Sequence, residues 1–244
     1  VPDLFDGEEV AVMKAAATEI NAQDRIEIQR EKDGTTPRTA FAAHHYNETF
    51  AKVAAHPRII EPAMQLLGGA VYIHQFKVNT KAAFSGDVWQ WHQDYGTWQR
   101  DDNMPDALGM NLAVFLDEVT PINGPLMLIP GSHKEDVLEA EHDTLTTSYP
   151  LWTLNEVTIR RLADTYGIVA PIGPAGTGMF FHCNLVHGSN ANMTPWGRII
   201  VYISVNCVNN AIRRFKRPEY VAHRDFRPIQ PLSNDCLKAK VAAK

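Results

Sequence analysis

The chain has 244 residues, which is enough to bury a hydrophobic core around a pocket within a single domain. Its composition, 45% hydrophobic and 21% charged, is that of a folded globular protein and excludes a disordered or fibrous one. A formal charge of −5 argues against a nucleic-acid surface, because a dedicated binder needs a wide positive footprint. The nearest basic run is interpreted as a solvated face or a contact for a lid, and comprises Arg213, Arg214, Lys216 and Arg217.

The cysteines and the N-terminal residues indicate the cellular compartment in which the protein resides. The three cysteines, Cys183, Cys207 and Cys236, are far apart and form no CxxC pair, so we expect a reducing environment without a disulfide framework. No window of about 18 apolar residues occurs, and the acidic start VPDLFDGEE is unlike a signal peptide. We therefore expect cytoplasmic residence, with further residues before Val1 because the chain does not begin with methionine.

Residues 1–69 are predicted to be mainly helical. A capping box at Asp6, followed by apolar residues at helical intervals, predicts an amphipathic helix over 7–22. A second helical stretch is predicted over 47–67. Pro57 interrupts it because proline lacks the amide proton that the helix ladder needs, and a glycine pair ends it.

From about residue 70 the pattern changes to short runs that are rich in aromatic and β-branched residues and separated by turn signals. The runs are VYIHQFKVN, DVWQWHQD, GMNLAVFL, LMLI, GMFFH and RIIVYISVN. Short strands at this spacing predict an antiparallel β-sandwich with helices outside it. We expect one domain, 1–244, with the sandwich over 70–210, a lid insertion over about 132–166 that contains a helix at 155–166, and a C-terminal tail over 211–244.

A metal site is indicated first by His92 and Asp94, which stand two apart in WQWHQDYGTW. On a strand or at its end, the alternation of side chains would point both to one face. An imidazole and a carboxylate on one face are two-thirds of a facial iron(II) site, which leaves the other face of the metal open. The pair alone is weak evidence, because 10 histidines and 28 acidic residues predict roughly one such pair by chance, and two more begin at His133 and His223.

The context that favours the first pair is His187, which follows a predicted strand in FFHCNLVHGSN. Arg198 comes eleven residues later, at the start of the next strand. A 2-oxoglutarate site needs such an always-charged, bidentate partner for the distal carboxylate of the cosubstrate. His182, on the predicted strand itself, is the alternative third ligand. His187 is favoured because a strand end exposes its side chain, whereas a histidine on the strand itself more often packs in the core.

Four longer segments resemble the phytanoyl-CoA dioxygenase superfamily of iron(II) and 2-oxoglutarate oxygenases. They are YIHQFKVNTKAAFSGD, WHQDYGTWQRDDNMPDA, NGPLMLIPGSHK and HGSNANMTPWGR. Within the superfamily the chain is similar to the bacterial ectoine hydroxylases and the free-leucine hydroxylases, over about 71–204. The resemblance implies a mainly β fold with flanking helices, a double-stranded β-helix of the jelly-roll or cupin type. It also implies Fe(II), 2-oxoglutarate and O2 as cofactor and cosubstrates.

The resemblance also assigns roles to individual positions. It implies that His92, Asp94 and His187 are the catalytic metal ligands and that Arg198 binds the distal carboxylate of 2-oxoglutarate. Further cosubstrate contacts are implied at Gln75, Asn111 and Ser189.

Substrate contacts are expected from the segments around the ligand pair. Trp98 resembles the aromatic residue that covers the substrate in ectoine hydroxylases, with a packed core tryptophan as the alternative. Tyr95 lies in the stretch where this chain departs from the ectoine hydroxylases. Lys77 and Lys81 could meet a carboxylate of the substrate or cosubstrate, although exposed strand lysines are the commoner case.

The expected activity is hydroxylation of an unactivated C–H bond in a small zwitterionic metabolite, a free amino acid or an ectoine-like compound, with release of succinate and CO2. Related halogenases leave the carboxylate position open for chloride, and Asp94 fills it here, which favours hydroxylation. Two alternatives remain: desaturation or cyclisation of a natural-product scaffold by the same cofactor chemistry, and a non-catalytic ligand-binding sandwich. We expect no nucleic-acid or membrane partner. The sequence leaves the oligomeric state undecided, a homodimer being one arrangement that it allows.

Overall fold

A computed structural model describes residues 1–238 of the chain, which fold around two antiparallel β-sheets. The helices are α1 (Gly7–Asn21), α2 (Ala43–Tyr46), α3 (Glu48–Ala54), α4 (Pro57–Leu67), α5 (Asp94–Asp102) and α6 (Glu156–Tyr166). The strands are β1 (Ile28–Arg30), β2 (Pro37–Phe41), β3 (Val71–Lys81), β4 (Trp89–His92), β5 (Gly109–Phe115), β6 (Leu126–Leu128), β7 (Glu141–Asp143), β8 (Leu151–Thr153), β9 (Gly178–His182), β10 (His187–Ser189) and β11 (Arg198–Cys207).

The larger sheet has six strands in the order β1-β2-β3-β11-β5-β9, and the smaller has three in the order β4-β10-β6. Alternate residues of β11 pack into two different cores, one on each face of the larger sheet. Ile200 and Tyr202 pack with residues of β6 and β9 in a core between the two sheets. Val201 and Ile203 belong instead to the larger core on the opposite face. Because both faces of β11 are covered, the strand reads as a continuous apolar run.

The helices α1, α3 and α4 cover the outer face of the six-stranded sheet. Met13, Ile20, Phe50 and Ile59 are fully buried in this core together with apolar residues of β3 and β5. Burial of an apolar side chain of this size stabilises the fold by about 1.5–3 kcal/mol. The layered arrangement confirms the predicted mainly β fold with flanking helices, a double-stranded β-helix of the jelly-roll type.

The predicted helices agree with the observed ones. Asp6 caps α1 with the reciprocal hydrogen bonds of a capping box, and Pro57 opens α4 where the second helical stretch was expected to break. Gly68 ends α4 in the left-handed conformation that glycine adopts without steric cost. The six predicted strands also form. Sequence patterns missed the short elements β1, β2, β7, β8, β10 and α2, which depend on tertiary partners, and they also missed α5.

The predicted lid segment, 132–166, forms a hairpin of β7 and β8 followed by α6. It is tied to α5 by two groups: the Arg100 guanidinium donates to the Leu138 carbonyl at 2.7 Å, and the Trp152 indole donates to Asp101 at 3.2 Å. The segment therefore lies against the helix that follows β4. No helix within residues 1–238 is both long enough and apolar enough to cross a membrane.

Candidate active site

Two histidines face each other across neighbouring strands of the smaller sheet. His92 on β4 and His187 on β10 are direct register partners, and their ring centroids lie 4.1 Å apart. Cross-strand partners carry their side chains on the same face, so the pairing brings together residues that are far apart in sequence. Each ring is oriented by its own backbone: Nδ1 of His92 donates to the Gln90 carbonyl at 2.6 Å, and Nδ1 of His187 donates to the Leu185 carbonyl at 2.8 Å. Both Nε2 atoms are therefore free to act as ligands.

The carboxylate of Asp94 completes the group. Its Oδ1 lies 3.7 Å from Nε2 of His92, and its Oδ2 lies 3.6 Å from Nε2 of His187. The expected reason for this convergence was wrong: Asp94 is the first residue of α5 and not part of a strand. The chain turns into a helix directly after β4, and this turn, rather than strand alternation, brings the carboxylate back to the imidazoles.

The electrostatics of the group suit a bound cation. Burial, with a smaller contribution from His187, lowers the pKa of His92 to about 3, and burial also lowers the pKa of His187. Burial raises the pKa of Asp94, but Lys77 and the two histidines lower it by more, so it lies well below its ordinary value. At neutral pH the site thus offers two neutral imidazoles and one carboxylate. This is the facial donor set that iron(II) oxygenases use, and the three residues fit such an ion.

His182, the alternative ligand, lies outside this group. Its Nδ1 accepts a hydrogen bond from the backbone of Asn184 at 3.1 Å, and its ring packs 5.6 Å from that of His133. Within residues 1–238, the metal-capable groups include the one formed by His92, Asp94 and His187, and His182 belongs to none of them.

Asn111 holds the carboxylate of Asp94, a role different from the cosubstrate contact expected for it. Its side-chain Nδ2 donates to Oδ2 of Asp94 at 2.8 Å, and its Oδ1 accepts from the hydroxyl of Ser204 at 2.5 Å. Asn111 and Ser204 are register partners on β5 and β11, and both are fully buried. Because both ends of the amide are used, Asn111 fixes the orientation of the Asp94 carboxylate.

Substitution of Asn111 tests this positioning role. In Asn111→Ala we expect iron affinity to fall by about 10- to 100-fold, as when a hydrogen-bond partner of a metal ligand is removed. The 2-oxoglutarate concentration for half-maximal rate, measured at saturating iron, should stay near the wild-type value. Iron titrations followed by turnover assays measure both quantities. A large change in the 2-oxoglutarate requirement with unchanged iron affinity would instead support a direct contact between Asn111 and 2-oxoglutarate.

The triad opens into a pocket of about 700 Å³, counting its mouth to solvent. Five of the other residues with an expected role line it, namely Gln75, Lys77, Trp98, Ser189 and Arg198. The lining also includes residues that the sequence did not single out, among them Tyr149 and Leu151 of the predicted lid segment, Trp89, Tyr202 and Arg217.

Arg198 is buried in this pocket with only 2% of its surface exposed. Its Nε donates to the carbonyl of Gly124 at 3.2 Å, and Nη2 donates to the same oxygen. Gly124 has a φ of +74°, and a Cβ there would meet the Asn190 carbonyl at 2.7 Å, so glycine is required for this approach. No carboxylate within residues 1–238 forms an ion pair with Arg198. A buried guanidinium without an anionic partner is suited to bind an anionic ligand.

Trp98 packs in the core and also reaches the pocket. It is fully buried in a small core cluster with Tyr95, and it also lines the pocket. Its indole donates to Oε1 of Gln75 at 3.3 Å, while Nε2 of Gln75 donates to the Val221 carbonyl at 2.8 Å. Both polar side chains of this wall are thereby held in place by the protein itself.

Two expected substrate contacts are not in the pocket. The hydroxyl of Tyr95 donates to the Pro105 carbonyl at 2.9 Å, and its ring packs in the cluster behind Trp98. Lys81 is buried rather than exposed, and its ammonium donates to the Asp87 carbonyl. Burial, followed by repulsion from Arg198, lowers the pKa of Lys81 to about 6. The substrate contacts predicted at these two positions are therefore corrected.

A buried ion pair at the pocket wall was missed. Arg217 belongs to the basic run that was interpreted as a solvated face, but its side chain is largely buried and lines the pocket. It binds Asp102 at the end of α5 through two parallel bonds, one of them Nε to Oδ1 at 2.9 Å. His74 contributes Nε2 at 3.5 Å from the same carboxylate. No sequence pattern distinguished Arg217 from its basic neighbours, because its partner lies more than a hundred residues away.

A jelly roll that holds two histidines and an aspartate in a pocket with a buried arginine defines the class of non-haem, metal-dependent oxygenases. The family model of phytanoyl-CoA dioxygenase (PhyH) matches residues 1–200, and the chain belongs to this family.

Curated relatives and solved structures agree with this assignment. The chain is 35% identical to an ectoine dioxygenase of Stutzerimonas stutzeri, over 94% of this chain and 81% of that protein. It is 34% identical to an L-proline trans-4-hydroxylase of Streptomyces griseoviridis, over 97% and 92% of the two chains. The crystal structure of EctD from S. alaskensis with 2-oxoglutarate and 5-hydroxyectoine superposes with a TM-score of 0.82 at 36% identity, over 95% of this chain and 80% of that one.

Proposed function

We propose that this protein is an Fe(II)- and 2-oxoglutarate-dependent dioxygenase that hydroxylates a C–H bond of a small metabolite. The proposal rests on a single observation: three potential metal-ligand atoms and a buried guanidinium without an ion-pair partner in residues 1–238 line the same pocket. The donor atoms are those of His92, Asp94 and His187, and the guanidinium is that of Arg198. The identities to hydroxylases of small metabolites support the same activity.

The protein's own groups then have distinct tasks. His92, Asp94 and His187 would hold the iron, which supplies oxygen activation coupled to the oxidative decarboxylation of 2-oxoglutarate to succinate and CO2. Arg198 would bind the distal carboxylate of 2-oxoglutarate through a bidentate, charge-assisted pair. Ser189 stands two residues beyond His187 on β10 and lines the same pocket, where its hydroxyl can donate to the cosubstrate.

The substrate is proposed to be a small zwitterion with a carboxylate. The substrates in the names of two relatives, ectoine and L-proline, share that property. In the pocket, Arg217 is already neutralised by Asp102. Lys77 forms no ion pair within residues 1–238, and its ammonium lies 5.8 Å from the Tyr202 ring centroid. Lys77 is thus the cation available to a substrate carboxylate, and the indole of Trp98 supplies an apolar wall.

The proposal is tested by incubating the protein with Fe(II), 2-oxoglutarate and O2 in the presence of free L-amino acids, ectoine and related zwitterions. We expect succinate release to depend on one of these compounds, with a product that has gained one oxygen atom. A product that has lost two hydrogens would indicate desaturation instead. Binding of 2-oxoglutarate without substrate-dependent succinate release from any compound would favour a non-catalytic ligand-binding protein.

We also propose cytoplasmic residence, without a nucleic-acid or membrane partner. The support is chemical: the cysteines Cys183, Cys207 and Cys236 are all free, which fits a reducing compartment. The formal charge of −5 disfavours binding to phosphate backbones.

A further inference from the structure

A second cluster of imidazoles lies outside the pocket, on the opposite side of strand β3. His44 and His45 are consecutive residues of α2, and His223 comes from the segment that follows β11. The ring centroids of His44 and His45 are 4.1 Å apart, and each lies 4.8 Å from that of His223. One nitrogen of each ring lies within 4.8 Å of the other two, a spread that the proposed iron ligands also meet. None of the three residues lines the pocket of the iron ligands.

The polar atoms of this cluster lack partners that would explain their burial. His223 is only 2% exposed, and neither of its ring nitrogens has a hydrogen bond of good geometry within residues 1–238. The Glu219 carbonyl has a small effect on its pKa but does not reach that geometry. Nδ1 of His44 is likewise buried without a partner in the described part of the chain. Buried polar groups in folded proteins are normally paired with protein, water or an ion, so these nitrogens are available to a ligand.

Protons do not fill this role. Burial, together with repulsion from the neighbouring histidines, lowers the pKa of His44 to about 2 and that of His223 to about 3. The carboxylate of Asp225 lines the cavity beside the cluster, but it is bound bidentately by Arg227. The imidazoles of His44 and His223 therefore keep their lone pairs at neutral pH, which is the form that binds metals.

The backbone holds the three residues from two directions. Ala42 starts α2 in the left-handed conformation, with a φ of 54°, and the Tyr46 hydroxyl donates to the Phe41 carbonyl at 3.0 Å. On the other side, the amide of His223 donates to the His74 carbonyl on β3 at 3.0 Å. The backbone segments that carry the three histidines are thus held in place before any ligand arrives.

We propose that His44, His45 and His223 form a second metal site, specific for a divalent cation of the zinc type. Three imidazole ligands suit zinc, cobalt, nickel and copper, and zinc held by three of them is tetrahedral with one position left for water. Zinc–nitrogen bonds of about 2.0–2.1 Å require the rings to draw together, which the exposed side chain of His45 permits by rotation. The ion would join α2 to a segment almost 180 residues later in the chain. The site does not depend on the proposed function.

The test is a count of bound metal in four forms of the full chain without a histidine tag. Each form is dialysed to equilibrium against cobalt(II), and the bound metal is measured by mass spectrometry. We expect two equivalents in the wild type, one in His45→Ala, one in His187→Ala, and none in the double variant. The tetrahedral cobalt bands in the visible spectrum should disappear in His45→Ala and persist in His187→Ala. Substitution of the exposed His142 by alanine is the matched control and should leave both equivalents bound.

The design separates this inference from the proposed function. One equivalent in the wild type, lost in His187→Ala and retained in His45→Ala, would overturn the second site and leave the iron site intact. One equivalent in the wild type, lost in His45→Ala and retained in His187→Ala, would support the second site and contradict the iron site. His223→Gln serves as an independent variant and should also bind one equivalent. With Fe(II) supplied, the turnover of His45→Ala should equal that of the wild type.

Discussion

Replacement of His187 by alanine is expected to abolish iron binding and turnover together. The substitution removes one of two imidazoles that meet Asp94 at 3.6–3.7 Å. Loss of a mere hydrogen-bond partner of a ligand costs about 10- to 100-fold in metal affinity, so loss of the ligand itself should cost more than about 100-fold. His92→Ala should behave in the same way because the two rings are equivalent in position. Iron stoichiometry after anaerobic reconstitution, measured alongside succinate release, is the readout.

The matched control is His182→Ala, since His182 lies at the end of β9, five residues before His187, and is the alternative third ligand. We expect it to retain a full equivalent of iron. Circular dichroism should show that all three variants are folded. If His182→Ala lost iron while His187→Ala kept it, the proposed triad would be incorrect.

Arg198→Ala is expected to raise the 2-oxoglutarate concentration for half-maximal rate by at least about 30-fold, which corresponds to about 2 kcal/mol, the lower end of the cost of truncating one partner of a buried charge pair. Iron affinity should be unchanged, because the guanidinium contacts the Gly124 carbonyl and none of the three ligands. Initial rates over a range of 2-oxoglutarate concentrations, at saturating iron and substrate, measure the effect.

Two further variants sharpen this prediction. Arg198→Lys keeps the charge but loses the planar fork, so its 2-oxoglutarate requirement should fall between those of the wild type and Arg198→Ala. Arg213→Ala removes an exposed arginine and should leave the requirement unchanged. If Arg198→Ala had the 2-oxoglutarate requirement of the wild type, the assignment of Arg198 to the cosubstrate site would be wrong.

The metal group could be anticipated from the sequence because its signals are short and ordered. His92 and Asp94 are two residues apart, and His187 precedes Arg198 by a fixed interval at the edge of two predicted strands. The structure brings all four side chains to one pocket. The pattern did not reveal the local geometry, since the hydrogen bonds that start α5 at Asp94 were not visible in a run that resembled a strand.

The contacts that orient the side chains of the site could not be predicted from the sequence. The amide of Asn111 reaches Asp94 from β5, and Arg217 reaches Asp102 from a segment 115 positions later. Each contact depends on how strands and loops are arranged in space, and neither partner carries a local signature. Within a basic run, the neighbouring residues in sequence do not distinguish an arginine that is buried from one that is exposed.

By itself the sequence determined the mainly β fold with helices outside it, the helix ends, most of the strands and the identity of the candidate metal ligands. The fold and its elements follow from side-chain periodicity, capping residues and turn residues, which act over a few positions, and the ligands follow from their spacing and the family resemblance. Only the tertiary structure decided that Asn111 orients Asp94, that Tyr95 and Lys81 lie outside the pocket, and that His44, His45 and His223 converge. Such contacts join residues distant in the chain, and they arise from sheet register and core packing, which no short segment encodes.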